Sequence, residues 1–151
     1  MTINELLKKP IEIMLENNVS DDIVQPSDVV SKLLERVARF SDQSALDFLI
    51  VYADKVDGNY SAKAVITHKE LSALLDLVQA PNNAEKTVQE LDLEAKFPLR
   101  YWLHKNDPIE KAYNLFKADL TDTIIILDEK EIYVGKVKRN PFVERLKILL
   151  S

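Results

Sequence analysis

The sequence has 151 residues, of which 46% are hydrophobic and 30% charged, and its formal net charge is −5. This length and composition predict a globular α/β (α+β) protein with a buried core rather than a disordered chain. The acidic balance and the lack of a basic stripe disfavour nucleic-acid binding, and the absence of cysteine excludes disulfides and thiolate-bound metals.

The first half of the chain is predicted to contain a helix, a strand hairpin and a second helix. The first helix covers 27–40, with Ser27 as its N-cap. Four apolar residues recur along it at helical spacing: Val30, Leu33, Leu34 and Val37. The hairpin pairs DFLIVYA (47–53) with YSAKAVI (60–66) across a polar turn, and the second helix begins near Thr67.

The second half repeats this order of elements. Its first helix follows Asp107, which is the predicted N-cap. Four apolar residues again recur at helical spacing: Ile109, Ala112, Tyr113 and Phe116. The strands TIIIL (123–127) and IYVGKV (132–137) come next, and Asn140 with Pro141 marks the start of the last helix.

A short internal similarity supports a repeat, because TINEL (2–6) returns as TVQEL (87–91). Two copies of one β-α-β-β-α unit are the simplest interpretation of the whole pattern. We therefore predict two tandem repeats, 1–80 and 81–151, that together form one compact module. The connecting stretch around Pro81 is polar and is the natural seam between them.

Glycine content and apolar run length exclude further classes of protein. Gly58 and Gly135 are the only glycines and lie in different segments, so no glycine-rich phosphate loop can form. The apolar runs are far shorter than the roughly 20 residues that a membrane helix needs. The N-terminal residues carry charges where a signal peptide would be apolar. We expect a cytoplasmic protein that does not interact with membranes.

The tandem β-α-β-β-α unit, from TINEL to FVERLKILL, resembles the cystathionine-β-synthase (CBS) domain pair, also named the Bateman module. In that family each repeat ends with a glycine, a hydrophobic strand end, a threonine or serine, and an aspartate that opens a helix. The threonine and the aspartate commonly contact the ribose of an adenosine-type ligand. The resemblance implies two intertwined repeats with a nucleotide in the cleft between them.

The end of the first repeat, AVITHKE (64–70), is similar to this family motif. Thr67 is retained, Ala64 stands in place of the glycine, and Glu70 stands in place of the aspartate. A threonine followed three residues later by glutamate is also a capping box, which satisfies backbone N–H groups at a helix start. Two roles stay open for this pair, capping alone or capping together with ribose binding, and His68 belongs to the same predicted ligand site.

The end of the second repeat, GKVKRNP (135–141), departs further from the motif. Lys138 replaces the threonine, and Pro141 replaces the aspartate. A proline side chain cannot accept a hydrogen bond from a ribose hydroxyl. Lys138, Arg139 and Asn140 complete the predicted ligand site, since basic side chains beside a helix N-terminus favour a phosphate. The alternative is a solvated turn whose charges offset nearby acidic side chains.

No catalytic or metal-binding set can be assembled from the sequence. His68 and His104 are the only histidines, and neither has a second ligand at metal-binding spacing. No serine lies in a G-x-S-x-G elbow. We therefore predict a protein that is not an enzyme and that requires no cofactor.

The function implied by the resemblance is sensing. The module would bind an adenine-type nucleotide or a cyclic dinucleotide and signal the bound state to an unidentified protein partner or to a second copy. The alternative is a degenerate CBS pair that has lost its ligand and acts as a dimerisation or adaptor module. The family pairs into flat dimers through helices, which implies a homodimer. The apolar helix residues expected at its interface include Val30, Leu34, Tyr113 and Phe116.

Overall fold

The computed structural model describes residues 1–16, 22–39 and 48–151. The chain forms two compact units, which we name the central unit (Ser20–Arg100) and the terminal unit (Met1–Val19 with Tyr101–Ser151). Phe40 and Asp47, which end a predicted helix and begin a predicted strand, lie outside the described residues.

The described residues form α-helices, strands and 3-10 turns. The α-helices are α1 (Ile3–Leu7), α2 (Val30–Arg39), α3 (Leu71–Gln79), α4 (Leu93–Lys96), α5 (Ile109–Lys117) and α6 (Arg139–Leu150). The strands are β1 (Ile23–Val24), β2 (Leu49–Val56), β3 (Asn59–Thr67), β4 (Trp102–His104), β5 (Thr123–Leu127) and β6 (Tyr133–Lys138). Three 3-10 turns cover Ile11–Met14, His68–Glu70 and Val88–Leu91. None of the helices in the described ranges has the length and apolar character that crossing a membrane requires.

The central unit contains a sheet of order β1-β2-β3, in which β1 runs parallel to β2 and β2 antiparallel to β3. The hairpin turn between β2 and β3 consists of Asp57 and Gly58, which both have positive φ. A two-residue hairpin turn needs this conformation for its twist to match that of the strands. Helices α2 and α3 pack on this sheet. The core they share with it includes Val30, Leu33, Val37, Ile50, Ile66, Leu74 and Val78.

The terminal unit repeats this topology with the order β4-β5-β6, again one parallel and one antiparallel pair. All five residues of β5 are buried, as the apolar run TIIIL predicts. Helices α5 and α6 contribute Ile109, Ala112, Phe116, Phe142 and Leu146 to the core. Both units therefore have the order β-α-β-β-α, which confirms the predicted fold class and the presence of two similar repeats.

A segment from outside the second half completes the terminal unit. Leu6, Ile11 and Met14 are buried in its core. The N–H of Ile11 donates to the carbonyl of Asp107 at 2.7 Å, and the N–H of Ile109 donates to the carbonyl of Lys9 at 2.8 Å. We name residues 9–16 the N-terminal strap.

The central unit is completed in the same way by residues 86–91, which lie near the start of the second predicted repeat (81–151). The N–H of Val88 donates to the carbonyl of Asp28 at 2.8 Å, and the N–H of Val30 donates to the carbonyl of Lys86 at 2.9 Å. This pattern matches the bonds made by the strap. Each compact unit is thus closed by a segment from near the start of the other predicted repeat.

These bonds correct the sequence correspondence between TINEL (2–6) and TVQEL (87–91). The structural counterpart of Val88–Leu91 is Ile11–Met14, since both are 3-10 turns with equivalent hydrogen bonds. TINEL instead forms α1, capped by the Thr2 hydroxyl, which accepts the N–H of Glu5. The two compact units also divide the chain differently from the ranges 1–80 and 81–151. Those ranges describe a sequence repeat and stay a prediction.

The predicted helix starts are displaced by one to three residues. Helix α2 begins at Val30 rather than after Ser27, and the residue preceding α5 is Pro108 rather than Asp107. The Asp107 carboxylate accepts the N–H of His104 at 2.9 Å, so it closes the turn before the helix instead of capping it. Asp28 accepts the N–H of Gln25 at 2.8 Å in the same arrangement. Each aspartate side chain thus accepts an N–H three residues before it, which is a common alternative to capping the following helix.

Candidate functional site

The first strand–helix junction, where β3 meets α3, contains the predicted capping box. The N–H of Thr67 donates to Glu70 Oε2 at 2.9 Å, and the Thr67 hydroxyl donates to the same oxygen at 2.5 Å. Thr67 Oγ1 in turn accepts the N–H of Lys69 at 3.4 Å. The threonine and the glutamate therefore hold the end of β3 against the first turn of the following helix.

The capping box leaves part of the Glu70 carboxylate available. Both bonds from Thr67 use Oε2, and Oε1 accepts no hydrogen bond from the described residues. Thr67, His68 and Glu70 are all half-buried, so the junction is reachable from solvent. A carboxylate oxygen held in this way can accept a hydroxyl hydrogen from a small molecule.

The second strand–helix junction, where β6 meets α6, is built differently. The N–H of Lys138 donates to Glu16 Oε2 at 2.9 Å, so the carboxylate comes from the N-terminal strap. The backbone of Glu16 also pairs with that of Lys136, whose carbonyl accepts the Glu16 N–H at 3.0 Å. Glu16 could not be predicted from the sequence, because no local signal connects it with a residue 122 positions further along the chain.

Arg139 is already engaged by acidic side chains within the terminal unit. Its Nη2 lies 2.7 Å from Asp119 Oδ1 and 3.0 Å from the carbonyl of Thr121. Its Nε lies 3.2 Å from Asp122 Oδ1, which is close enough for an ion pair although the N–H is not aligned for a hydrogen bond. The guanidinium also lies 5.9 Å from the ring of Phe116. These contacts give Arg139 a role in holding the start of α6.

The other predicted residues of this junction lie in the first turn of α6. The helix begins at Arg139, so Asn140 occupies its second position and Pro141 its third. Asn140 is exposed and does not cap the helix, which corrects the predicted start signal. Proline is tolerated there because first-turn N–H groups have no acceptor within the helix. The six predicted ligand residues thus lie at two junctions, three in each unit.

The structure also defines the contacts of His104, the second histidine considered in the sequence. No group of three or more potential metal ligands occurs within residues 1–16, 22–39 and 48–151. His104 Nδ1 lies 3.3 Å from the carbonyl of Asp128, and its ring packs edge-on against Trp102 at 5.0 Å between centroids. These contacts connect His104 with the loop that follows β5 and with its neighbour in β4.

An apolar groove lies along helices α5 and α6 and was not predicted as a unit. Its volume is about 390 Å³. The side chains that line it include Tyr113, Phe116, Phe142, Val143, Leu146 and Leu150. Tyr113 is 36% exposed and its counterpart in α2, Leu34, is 40% exposed, although both follow the helical spacing of core residues. Both side chains are therefore partly exposed to solvent rather than buried in the core of their own unit.

Comparison with known proteins identifies the fold. No family model and no curated protein sequence matches the chain. Solved structures do match it, among them CBSX2 in complex with AMP, with a TM-score of 0.66 and 16% identity over 95% of this chain and 99% of that one.

Two further matches agree with this result. A CBS domain-containing protein of unknown function from Bacillus anthracis has a TM-score of 0.66 and 13% identity over 97% of this chain and 99% of that one. The CBS domain of the bacterial CNNM/CorC family Mg²⁺ transporter in complex with ATP has a TM-score of 0.61 and 17% identity over 96% of this chain and 92% of that one. With these full-length matches and two β-α-β-β-α units, the chain has the fold of a CBS domain pair, as the sequence resemblance predicts.

Proposed function

We propose that this chain is a cytoplasmic, non-catalytic regulatory module that binds an adenine nucleotide at the junction of β3 and α3. The fold supports this proposal, because structures that share it include complexes with AMP and with ATP. Within this chain, the proposal depends on the hydrogen bonding of the Glu70 carboxylate. One of its oxygens fixes the junction, and the other accepts no bond from the described residues.

The chemistry of this junction suits a nucleoside ribose. A ribose diol presents two hydroxyl donors, and a preorganised carboxylate is a strong acceptor for them. The capping box holds Glu70 in place, so little side-chain entropy remains to be lost on binding. We expect the ribose to contact Glu70 Oε1, with Thr67 positioning the glutamate and His68 lying beside the ligand.

For the second junction, taken by itself, we propose a contact with a phosphate group. Lys138 remains the residue we propose for that contact, with Asn140 next to it on an exposed first turn. Arg139 is a weaker candidate than its sequence position indicates, because its guanidinium already lies against Asp119 and Asp122. A phosphate would have to compete with these two carboxylates.

Binding of AMP, ADP, ATP, adenosine and a cyclic dinucleotide, measured by calorimetry on the full chain, tests the proposal. We expect an adenine nucleotide to bind, and Glu70→Gln to weaken that binding by about tenfold or more, since hydrogen bonds to charged groups contribute about 1.5–3 kcal/mol. Thr67→Ala is expected to lower the free energy of unfolding by about 1 kcal/mol.

The matched control for Glu70→Gln is Asp76→Asn, which neutralises an exposed carboxylate on the adjoining helix α3. It should leave nucleotide affinity unchanged. Equal affinities in the parent, Glu70→Gln and Thr67→Ala proteins would eliminate the ribose role and leave the capping box as the whole function of the pair.

One set of observations favours a second candidate function, a ligand-free adaptor. The Thr67 hydroxyl is occupied by the capping box, Pro141 offers no acceptor, and Arg139 is held in ion pairs. A chain that has lost its ligand would show these features. The adaptor function is expected if no nucleotide in the calorimetric series binds at millimolar concentration.

We also propose that the chain is a homodimer, through which it would signal to an unidentified protein partner. The exposed Leu34 and Tyr113 are the predicted interface residues that remain available, since Val30 and Phe116 are buried in the units.

Light scattering at tens of micromolar is expected to give twice the mass of one chain. Tyr113→Glu should shift the mass towards that of a monomer, while the neighbouring Glu110→Gln should not. A monomeric parent protein would refute the dimer.

A further inference from the structure

The two strand–helix junctions are equivalent in position but take their carboxylate from different places. Thr67 pairs with Leu49, the first residue of β2, and Lys138 pairs with Thr123, the first residue of β5. The N–H groups of Thr67 and Lys138 each donate to a glutamate Oε2 at 2.9 Å. The same backbone group at the end of the last strand is therefore satisfied by a carboxylate in both units.

At the first junction the carboxylate is local. Glu70 lies three residues after Thr67, so the bond forms within one turn and needs no other segment. At the second junction Pro141 occupies the matching third helical position. Its side chain has no acceptor, and the carboxylate comes from Glu16 instead.

Glu16 reaches this position because the strap lies against the edge of β6. Its N–H donates to the carbonyl of Lys136 at 3.0 Å, and its carbonyl accepts the N–H of Lys136 at 3.4 Å. A Cβ on Gly135 would lie 2.8 Å from the Glu16 carbonyl oxygen, so the glycine makes this close approach possible. Both the backbone and the side chain of Glu16 are thus hydrogen-bonded to β6.

We infer that Glu16 replaces, from the N-terminal strap, the carboxylate that α6 lacks at Pro141. Docking of the strap and closure of the first turn of α6 are then one event, whereas α3 closes independently by its own capping box. The strap stabilises the second junction through the bond between Glu16 and the N–H of Lys138. Release of the strap opens the start of α6, and a change at the start of α6 loosens the strap.

Hydrogen exchange of the full chain, followed at the amide of Lys138, tests this coupling. Glu16→Ala is expected to raise the exchange rate of that amide by about tenfold or more, the factor expected for the loss of a bond to a charged acceptor. Glu12→Gln, which neutralises an exposed glutamate of the same strap, is the matched control and should change the rate less than about twofold.

A local capping box installed by Lys138→Thr together with Pro141→Glu makes the test specific. In this background the junction has its own carboxylate three residues after the strand end, as at Thr67 and Glu70. Glu16→Ala should then raise the exchange rate at position 138 less than about threefold. Equal effects of Glu16→Ala in the two backgrounds, or equal effects of Glu16→Ala and Glu12→Gln, would overturn the inference.

A second variant covers the case in which Glu16→Ala alone does not fold. Glu16→Gln keeps an acceptor oxygen but loses the charge, so its effect on exchange should be smaller and should have the same dependence on background. Recovery of a folded Glu16→Ala protein by the installed capping box would support the inference. Failure to fold in both backgrounds, with no difference for Glu16→Gln, would refute it.

Discussion

Replacing Ile11 by alanine is expected to lower the free energy of unfolding by about 2–5 kcal/mol, the usual cost of emptying a fully buried aliphatic site. The Ile11 side chain has no exposed surface and belongs to the core of the terminal unit. The same substitution at Ile13, two residues along the strap and 38% exposed, should cost about 0.5 kcal/mol or less. Urea unfolding of the three proteins, with midpoints compared at constant slope, gives both values.

This pair of variants tests whether the N-terminal strap belongs to the core formed by the second half. Similar losses at Ile11 and Ile13 would show that the strap is bound only loosely and that its buried face contributes little. The ratio of the two losses is informative even if the absolute values change with solvent, because the two side chains are chemically identical.

Gly135→Ala is expected to be the second large effect, with a loss of about 1–3 kcal/mol. The added Cβ would lie 2.8 Å from the carbonyl oxygen of Glu16 and 2.9 Å from Leu15 Cδ2, and the oxygen is backbone that cannot rotate away. The strap must therefore shift outward, which lengthens the pairing between Glu16 and Lys136. The measurement is again the unfolding midpoint in urea.

The other glycine provides the control for Gly135→Ala. Gly58 lies in the β2–β3 turn at φ +80°, and a Cβ added there would meet no atom within 4 Å. Asparagine tolerates this conformation, so Gly58→Asn should cost less than about 1 kcal/mol. A Gly135→Ala protein as stable as its parent would mean that the strap does not pass over β6 as closely as described.

Features that depend on a few neighbouring residues could be predicted from the sequence. Helical spacing identified Leu33 and Ala112 as core positions, and an unbroken apolar run identified β5. The capping box at Thr67 and Glu70 was predictable for the same reason, since its hydrogen bonds span three residues. Spacing also assigned Leu34 and Tyr113 to the same faces, although it cannot distinguish a core from an exposed apolar groove.

Features that join distant parts of the chain could not be predicted. The bond from Lys138 to Glu16 connects residues 122 positions apart, and neither residue carries a local signal for it. The pairing of Arg139 with Asp119 depends on how the loop after α5 returns to α6. The similarity of TINEL to TVQEL was misleading, because short helical turns share a composition without sharing a place in the fold.

The exchange of closing segments has a consequence for the order in which the protein can assemble during synthesis. Residues 20–100 leave the ribosome as a continuous stretch, so the central unit can complete its contacts while translation proceeds. The strap precedes its hydrogen-bonding partners, Ile109 and the carbonyl of Asp107, by more than ninety residues. The strap is therefore buried only after the long segment that follows it has been made. The apolar residues Leu6, Ile11 and Met14 have no native core to enter until residues 103–146 have been translated.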